Sequence, residues 1–278
     1  MMTATCPLGL QSEILSCIGI TEASCHVVHA PTDRPEISYN VKLHGSTDSA
    51  KHALVEVMRA RLEMKKDDAS FRGLVYCRSK KKVDEVASMI RCKPFHADIS
   101  PEENAKTFKN WVDGKTKVIV ATSLLGCGID VEGVSLVLHL GTPWSVLDFA
   151  QESGRAGRGG RLSTSIVFAS EKEQEPDEEG SYGKQTMRDW ALQTSACRRL
   201  ALSSFLDEGH TTCATLTGGA LCDICREESK REHPGQLVRF SASTIPNGDV
   251  PPARKPLRVP PTSSKYEQER SRYKRVER

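Results

Sequence analysis

Short apolar runs alternate with stretches of helical periodicity along this chain, and this alternation limits the folds that it can adopt. Val, Ile and Leu dominate the apolar runs, as is typical of strands that are buried on both faces of a parallel sheet. Strands joined by helices of about 10–15 residues indicate βαβ units. The order therefore predicts an α/β fold, a parallel sheet with helices on both faces. The predicted strands lie at residues 37–41, 72–77, 93–97, 117–122, 135–140 and 163–169.

Helix signals lie between and after these strands. Residues 48–64 have apolar positions at helical spacing behind Asp48, which we expect to cap the helix. Ser79 is expected to cap a second helix, which ends at Ile90. A third helix is predicted at 101–112, because a proline followed by two glutamates favours a helix start. Residues 187–206 are predicted to form one further helix.

The strongest functional motif is QESGRAGRGG at residues 151–160. Glycines around Arg155 and Arg158 indicate a tight turn that presents two guanidinium groups, whose planar forks suit phosphate oxygens. A basic glycine loop without a ligand is the alternative. Because ligands bind at the carboxyl ends of the strands in such sheets, we expect the motif loops to lie there.

A second motif, VATSLLGCGID, ends a predicted strand with Thr122 and Ser123 and continues to Asp130. The two hydroxyl groups are suited to bind a phosphodiester, and the carboxylate is suited to accept a hydrogen bond from a ribose hydroxyl. Taken alone, the segment is also compatible with an ordinary connection between a strand and a helix.

Taken together, these motifs resemble, in order and spacing, the second RecA-like domain of superfamily-two helicases. RPEISYNV (34–41) and MTATCP (2–7) are similar to segments of the RecQ family, the second to the end of its first motor domain. FHADI and LLGCGI depart from the usual YHAGL and AFGMGI. The segments that carry the wider resemblance are LVYCRSKKKVDEVA (74–87), KPFHADISPEE (93–103), VIVATSLLGCGID (118–130) and QESGRAGRGG.

The resemblance implies an ATP-dependent 3′-to-5′ DNA helicase and assigns roles to residues of this chain. Arg158 would be the arginine finger, with Arg155 beside it and Gln151 coupling nucleotide to DNA. Asp130, Gly128 and Gly154 would lie at the nucleotide. The predicted contacts to DNA, as single strands or duplex junctions, are Arg78, Ser79, His96, Thr122 and Ser123.

Two motor motifs do not occur in these 278 residues, GxxxxGK[ST] and DExH. They supply the lysine that binds the phosphates and the acid that holds Mg²⁺. We therefore expect ATP and Mg²⁺ to be shared with a first motor domain, which a protein partner would supply, and negligible ATPase activity from this chain alone. Two other hypotheses remain, a non-catalytic DNA-binding or regulatory fragment and a truncated gene product.

Ten cysteines would fit a disulfide scaffold, but no secretory signal is evident and the length favours free thiols or metal ligands. Four of them resemble the RecQ zinc module and are the predicted ligands of a structural zinc ion: Cys197, Cys213, Cys222 and Cys225. Four reduced thiols without metal, or His210 in place of Cys213, are the alternatives.

The predicted domain organisation has four parts. Residues 1–35 are a remnant of the first motor domain with a linker, and 36–172 form the RecA-like domain. Residues 173–228 hold an acidic linker and a small helical zinc-binding subdomain, and 229–278 form a proline-rich, basic, disordered tail. No apolar run is long enough to span a membrane. The resemblance to DNA helicases implies nuclear localisation. Trp111 is expected in the core, and the place of Trp144 stays open.

Overall fold

The fold is a single parallel sheet with helices on both sides, seen in a computed structural model that describes residues 5–126, 131–171, 182–216 and 218–232. Its strands are β1 (Ile37–His44), β2 (Arg72–Cys77), β3 (Pro94–Phe95), β4 (Val118–Ala121), β5 (Val134–Leu140) and β6 (Ser163–Ser170). They are ordered β1-β6-β5-β2-β4-β3, and every pair is parallel. The predicted α/β fold is confirmed.

Three of the eight helices occur where the sequence predicted them, at residues 48–64, 80–90 and 101–112, and two details of the helix predictions are corrected. They are α1 (Leu8–Cys17), α2 (Thr47–Met64), α3 (Lys80–Ile90), α4 (Pro101–Val112), α5 (Val146–Ser153), α6 (Lys184–Leu192), α7 (Arg198–Leu206) and α8 (Asp223–Glu232). Ser46, and not Asp48, caps α2, because its hydroxyl accepts a hydrogen bond from the Ser49 amide. The single helix predicted at 187–206 is wrong: extended backbone at Gln193 separates α6 from α7.

Apolar side chains from alternate strand positions enter two separate cores. On one face α2 and α3 pack over Val75 and Val120, and on the other α5 and α6 pack over Leu74 and Ile119. Alternation along a strand sends successive side chains to opposite faces, so the continuous apolar runs satisfy both layers. Among the described residues, no helix has both the length and the apolar character to cross a bilayer.

The segment after β6 covers the edge of the sheet that β1 would otherwise expose. The Asp223 carboxylate at the start of α8 accepts a hydrogen bond from the Val41 amide, at 2.9 Å. Arg226 donates to Ser38 Oγ at 2.7 Å and to Asn40 Oδ1 at 3.1 Å. Covering an edge strand removes a site for unwanted pairing. The acidic segment 172–181 lies outside the described residues, as does most of the tail that was predicted to be disordered at 229–278. The prediction is wrong for residues 229–232, because they form the last turn of α8.

Candidate functional site

The predicted nucleic-acid contacts lie together where the strands end, which we call the carboxyl edge. Arg78 and Ser79 follow β2, Thr122 and Ser123 follow β4, and His96 follows β3. These three strands are neighbours in the order β2-β4-β3. Because adjacent strands are about 4.8 Å apart, the residues that follow them form a short row. Only the sheet order, and not the sequence spacing, makes them neighbours.

Hydroxyl groups at this edge lie beside backbone amides at the start of helical turns. Ser79 Oγ accepts from the Lys82 amide at 3.3 Å and caps α3. Thr122 Oγ1 accepts from the Leu124 amide at 3.4 Å. Amides and hydroxyls arranged in this way favour anions, because the first amides of a helix have no intrahelical acceptor. The edge is therefore chemically suited to phosphate groups.

His96 does not fit the contact predicted for it. The residue is 5% exposed, its Nε2 lies 2.9 Å from Asp84 Oδ1, and its Nδ1 lies 3.3 Å from the Asp98 amide. Both ring nitrogens are therefore engaged inside the protein. Asn104 donates to the His96 carbonyl at 3.0 Å and fixes the same loop. His96 supports the loop after β3 from within, so its assignment as a direct contact is corrected.

Trp144, whose place the sequence does not determine, lies at the carboxyl edge. The Arg78 guanidinium carbon lies 3.7 Å from the centroid of the Trp144 ring. This geometry is a cation–π contact. The signal available in the sequence was position alone: Trp144 follows β5, which is the other neighbour of β2 in the sheet.

The arginine turn at 154–160 lies at the opposite edge, where the strands begin. The Gly157 amide donates to the carbonyl of Val134, the first residue of β5, at 3.1 Å. Gly157 has φ 75°, and a Cβ there would lie 2.5 Å from Glu36 Cγ. The expectation that all motif loops lie at the carboxyl edge is therefore wrong for this turn. The reason is topological: α5 carries the chain back across the sheet before β6 begins.

Arg34, from the RPEISYNV segment, holds the arginine turn. Its two terminal nitrogens donate to the carbonyls of Gly154 and Ala156, at 2.7 and 2.9 Å, and its Nε donates to Glu36 at 2.6 Å. Gly154 thus contributes a carbonyl to the turn's support. The RPEISYNV segment and the arginine turn, which are distant in sequence, therefore form one hydrogen-bonded unit.

Arg155 and Arg158 have different surroundings. Arg155 is 7% exposed and lies beside Tyr76: burial raises the pKa of the Tyr76 phenol above its usual value, and the Arg155 guanidinium opposes that rise. Arg158 is partly exposed in a cleft of about 300 Å³. The charged residues that line this cleft are Arg61, Lys65, Asp68, Arg158 and Arg161.

The cleft is cationic, with four basic side chains and one acid. Hydrogen bonds from the Ser70 hydroxyl and Lys65 lower the pKa of Asp68 to about 2, so this carboxylate remains charged at neutral pH. The excess of positive charge favours an anionic ligand at Arg158.

Gln151 and the nucleotide-side residues complete the predicted site. Gln151 Nε2 donates to Thr5 Oγ1 of the MTATCP segment at 3.1 Å, so the two motifs are in contact. Asp130 and Gly128 lie outside the described residues.

The four predicted zinc ligands converge. The sulfur atoms of Cys197, Cys213, Cys222 and Cys225 all lie within 4.8 Å of one another. The Cys213 amide donates to Cys197 Sγ and the Cys222 amide to Cys213 Sγ, each at 3.3 Å. His210 is exposed and does not belong to this cluster.

The cluster has the donor chemistry of a structural zinc site, because four thiolates at mutual contact match tetrahedral coordination. The hydrogen bond between Cys197 and Cys213 is the main influence that lowers the pKa of Cys197, to about 7. Hydrogen bonds from neighbouring thiols, Cys197 first, also lower the pKa of Cys222. Both shifts favour the thiolate that a metal requires, whereas hydrogen bonds within the same cluster, from Cys197 first, raise the pKa of Cys213 and of Cys225.

Comparison with known proteins agrees with this arrangement. Residues 50–160 match the helicase conserved C-terminal domain. A candidate ATP-dependent DNA helicase Q1 of Caenorhabditis elegans is 30% identical over 220 residues, which is 74% of this chain and 34% of that protein. ATP-dependent DNA helicase RecQ of Haemophilus influenzae is 25% identical over 247 residues, 83% of this chain and 37% of the relative. This chain carries the C-terminal domain of a RecQ-like helicase.

The RecQ-like chain spans about a third of the length of these relatives. Among solved structures, Dbp5 of S. cerevisiae bound to RNA and ADP BeF3 has a TM-score of 0.50 and 17% identity, and the match covers 59% of this chain and 43% of Dbp5. Mss116p bound to ssRNA and AMP-PNP has the same TM-score of 0.50 at 18% identity, with 62% of this chain and 35% of Mss116p covered. Such identities show the fold alone, which is the RecA-like fold of helicase C-terminal domains.

Proposed function

We propose that this chain acts as the second motor domain of a 3′-to-5′ DNA helicase. In this role its carboxyl edge grips the phosphates of a single strand. The row formed by Arg78, Ser79, Thr122 and Ser123 on adjacent strands carries the proposal. Contacts to phosphates hold DNA without reading its sequence, which a motor that passes every base requires.

The second part of the proposal concerns ATP and Mg²⁺, which a first motor domain would hold. Arg158 would act as the arginine finger and Arg155 would support it, with Asp130, Gly128 and Gly154 on the nucleotide side. The cationic cleft at Arg158 and the contact of Gln151 with Thr5 support this assignment. An arginine that meets the charge of a transferring phosphoryl group contributes about 10³–10⁵ in rate in comparable enzymes.

The third part assigns Zn²⁺ to Cys197, Cys213, Cys222 and Cys225, in a structural role. Zinc binding to four thiolates couples to folding. Trp190, Leu202 and Cys222 belong to the same hydrophobic core as the sheet, so the ion would stabilise the helices that cover β1.

The grip at the carboxyl edge is tested by titrating a labelled oligothymidine at several salt concentrations and following its anisotropy. Each lost phosphate contact on a single strand lowers the slope of log K against log salt by about 0.7. Arg78→Ala should show that decrease. Lys115→Ala is the matched control, because Lys115 is exposed and precedes β4 at the opposite edge. Equal slopes for both variants would refute the grip.

The nucleotide assignment is tested by ATP hydrolysis. We expect negligible hydrolysis by this chain, with or without DNA, because neither GxxxxGK[ST] nor DExH is present in it. When it is joined to a first motor domain of a RecQ-like helicase, Arg158→Ala should lower kcat by about 10³ or more. DNA-stimulated hydrolysis by the chain alone, lost in Arg158→Ala, would overturn the division of labour.

A second candidate function is a non-catalytic DNA-binding module that regulates other helicases. The same row of residues at the carboxyl edge supports it, because phosphate binding does not require ATP. Restoration of DNA-stimulated hydrolysis by a first motor domain would exclude this candidate. Nuclear localisation is proposed from the kinship with DNA helicases, and imaging of the tagged full chain tests it.

A further inference from the structure

One tryptophan of this protein is exposed, and two are buried. Trp111 and Trp190 are each 1% exposed and donate their indole N–H groups to backbone carbonyls, of Gly73 and Arg198, inside the core. Trp144 is 47% exposed. About half of the Trp144 surface is therefore in water, whereas the other two indole rings are packed in the core, and the exposed part of the ring is accessible to a ligand.

The loop that carries Trp144 is held at both ends. At its start the Gly141 amide donates to the Phe168 carbonyl at 2.9 Å, and Gly141 has φ 91°. At its end Ser145 caps α5, because Ser145 Oγ accepts from the Asp148 amide at 3.1 Å and donates to the Asp148 carboxylate at 2.7 Å. The ring is therefore presented from a supported turn between β5 and α5.

The Arg78 guanidinium lies on the Trp144 ring, 3.7 Å from its centroid. The contact covers only part of the ring, because 47% of the residue stays exposed. Planar arginine groups stack on aromatic rings and also bind phosphates. Arg78 thus links an aromatic surface at β5 with the phosphate-binding row at β2 and β4.

We propose that Trp144 and Arg78 form a stacking platform for an unpaired base of a single-stranded nucleic acid. The inference rests on the proposed function and names a further contact at the same edge. Stacking of bases on aromatic side chains is tolerant of sequence, since every base has a π-face. The platform would therefore hold each base as the motor passes it.

Charge favours a nucleotide over an apolar peptide as the occupant. Lys80, Lys81 and Lys82 follow Arg78 at the start of α3, and Lys80 is paired with Asp98. A peptide that buried Trp144 would need further apolar surface, whereas these neighbours are basic. A nucleotide supplies an aromatic base for the ring and a phosphate for the cations, so it complements both features.

The test compares the full chain with Trp144→Ala and Trp144→Phe, each titrated with labelled oligothymidine. We expect Trp144→Ala to bind about tenfold more weakly, because it loses the stacking of one base. The slope of log K against log salt should stay the same, because no phosphate contact is lost. Trp144→Phe should retain most of the affinity. The unfolding midpoint of both variants should match that of the parent, since the side chain is exposed.

An abasic oligonucleotide of the same length supplies the second arm. The parent chain should bind this abasic oligonucleotide as weakly as Trp144→Ala binds oligothymidine. Trp144→Ala should bind the abasic oligonucleotide only slightly more weakly than the parent chain does. Oligothymidine should also quench the fluorescence of the exposed indole, a signal that the buried tryptophans do not give. If oligothymidine bound the parent chain without quenching its fluorescence, and Trp144→Ala bound it with the same affinity, the platform would be overturned but the phosphate grip would stand. Absence of binding by every variant would overturn the proposed function and the platform together.

Discussion

Replacing Arg199 with methionine should destabilise the protein strongly, because the guanidinium group is buried and holds several partners. Arg199 is 0% exposed and joins three segments. Its Nη1 donates to Asp33 Oδ1 and to the Arg34 carbonyl, each at 2.9 Å. Its Nη2 donates to the carbonyls of Pro35, Ile37 and Ala220 at 3.2, 2.6 and 3.0 Å.

The magnitude follows from what Arg199→Met leaves behind. The Asp33 carboxylate, with a side chain only 12% exposed, would lose its cationic partner, and buried carbonyls would lose donors. Removing one partner of a buried ion pair costs about 3–5 kcal/mol. A domain of this kind has about 5–15 kcal/mol in total, so the loss is a large fraction.

The assay is urea unfolding followed by circular dichroism at a fixed zinc concentration, because a bound metal stabilises the native state by mass action. Arg59→Met is the control: Arg59 is exposed and donates one hydrogen bond, to the Met89 carbonyl. We expect that variant to lose no more than about 1 kcal/mol. Adding Asp33→Asn to Arg199→Met should recover part of the loss. Equal losses of stability in Arg199→Met and Arg59→Met would contradict a stabilising role for the buried Arg199 contacts.

Three further predictions concern the turn, the cysteine cluster and pH. Gly157→Ala should destabilise the protein by about 2–3 kcal/mol, because the new Cβ would lie 2.5 Å from a side-chain carbon. Gly159→Ala should destabilise it by about 1 kcal/mol, because Gly159 has a similar positive φ but open space around it. The urea midpoints of both variants check these values. Mass spectrometry of the bound metal should find one zinc ion per chain. Cys222→Ser should lower this ratio, whereas the control Cys17→Ser should not, because Cys17 is exposed and lies outside the cluster. NMR titration of Asp68 should give a pKa of about 2 instead of 3.8. The charged Asp68 carboxylate then contributes to stability above about pH 4, and this contribution is lost as the pH falls towards 2 and the group is protonated.

The six strands and the helices α2, α3 and α4 could be predicted because their signals are local, whereas α1, α5 and α8 were not predicted. The apolar run at 72–77 became β2 without a shift, and the serine at 79 capped α3 as expected. The break before Cys197 could not be predicted from helical periodicity. Its cause is a distant partner: Cys197 Sγ lies 3.6 Å from Cys213 Sγ, and a continuous helix would carry it elsewhere.

The candidate site was predictable in composition but not in arrangement. His96 matched a motif position, yet its ring is held by Asp84, and no pattern around 96 signals that the two side chains meet. Trp144 has no motif of its own, and its contact with Arg78 depends on two strands that are adjacent in space and far apart in the chain.

Residue types and short spacings were enough to predict the six strands, the helices between β1 and β4, the paired arginines among glycines and the four cysteines. Three features depend on the folded arrangement: β2 lies between β5 and β4, the arginine turn lies at the edge where the strands begin, and the cysteine segment covers β1. They could not be predicted because the order of the strands and the return path of each helix bring together residues that are far apart in the chain, and the packing of both faces selects one such order.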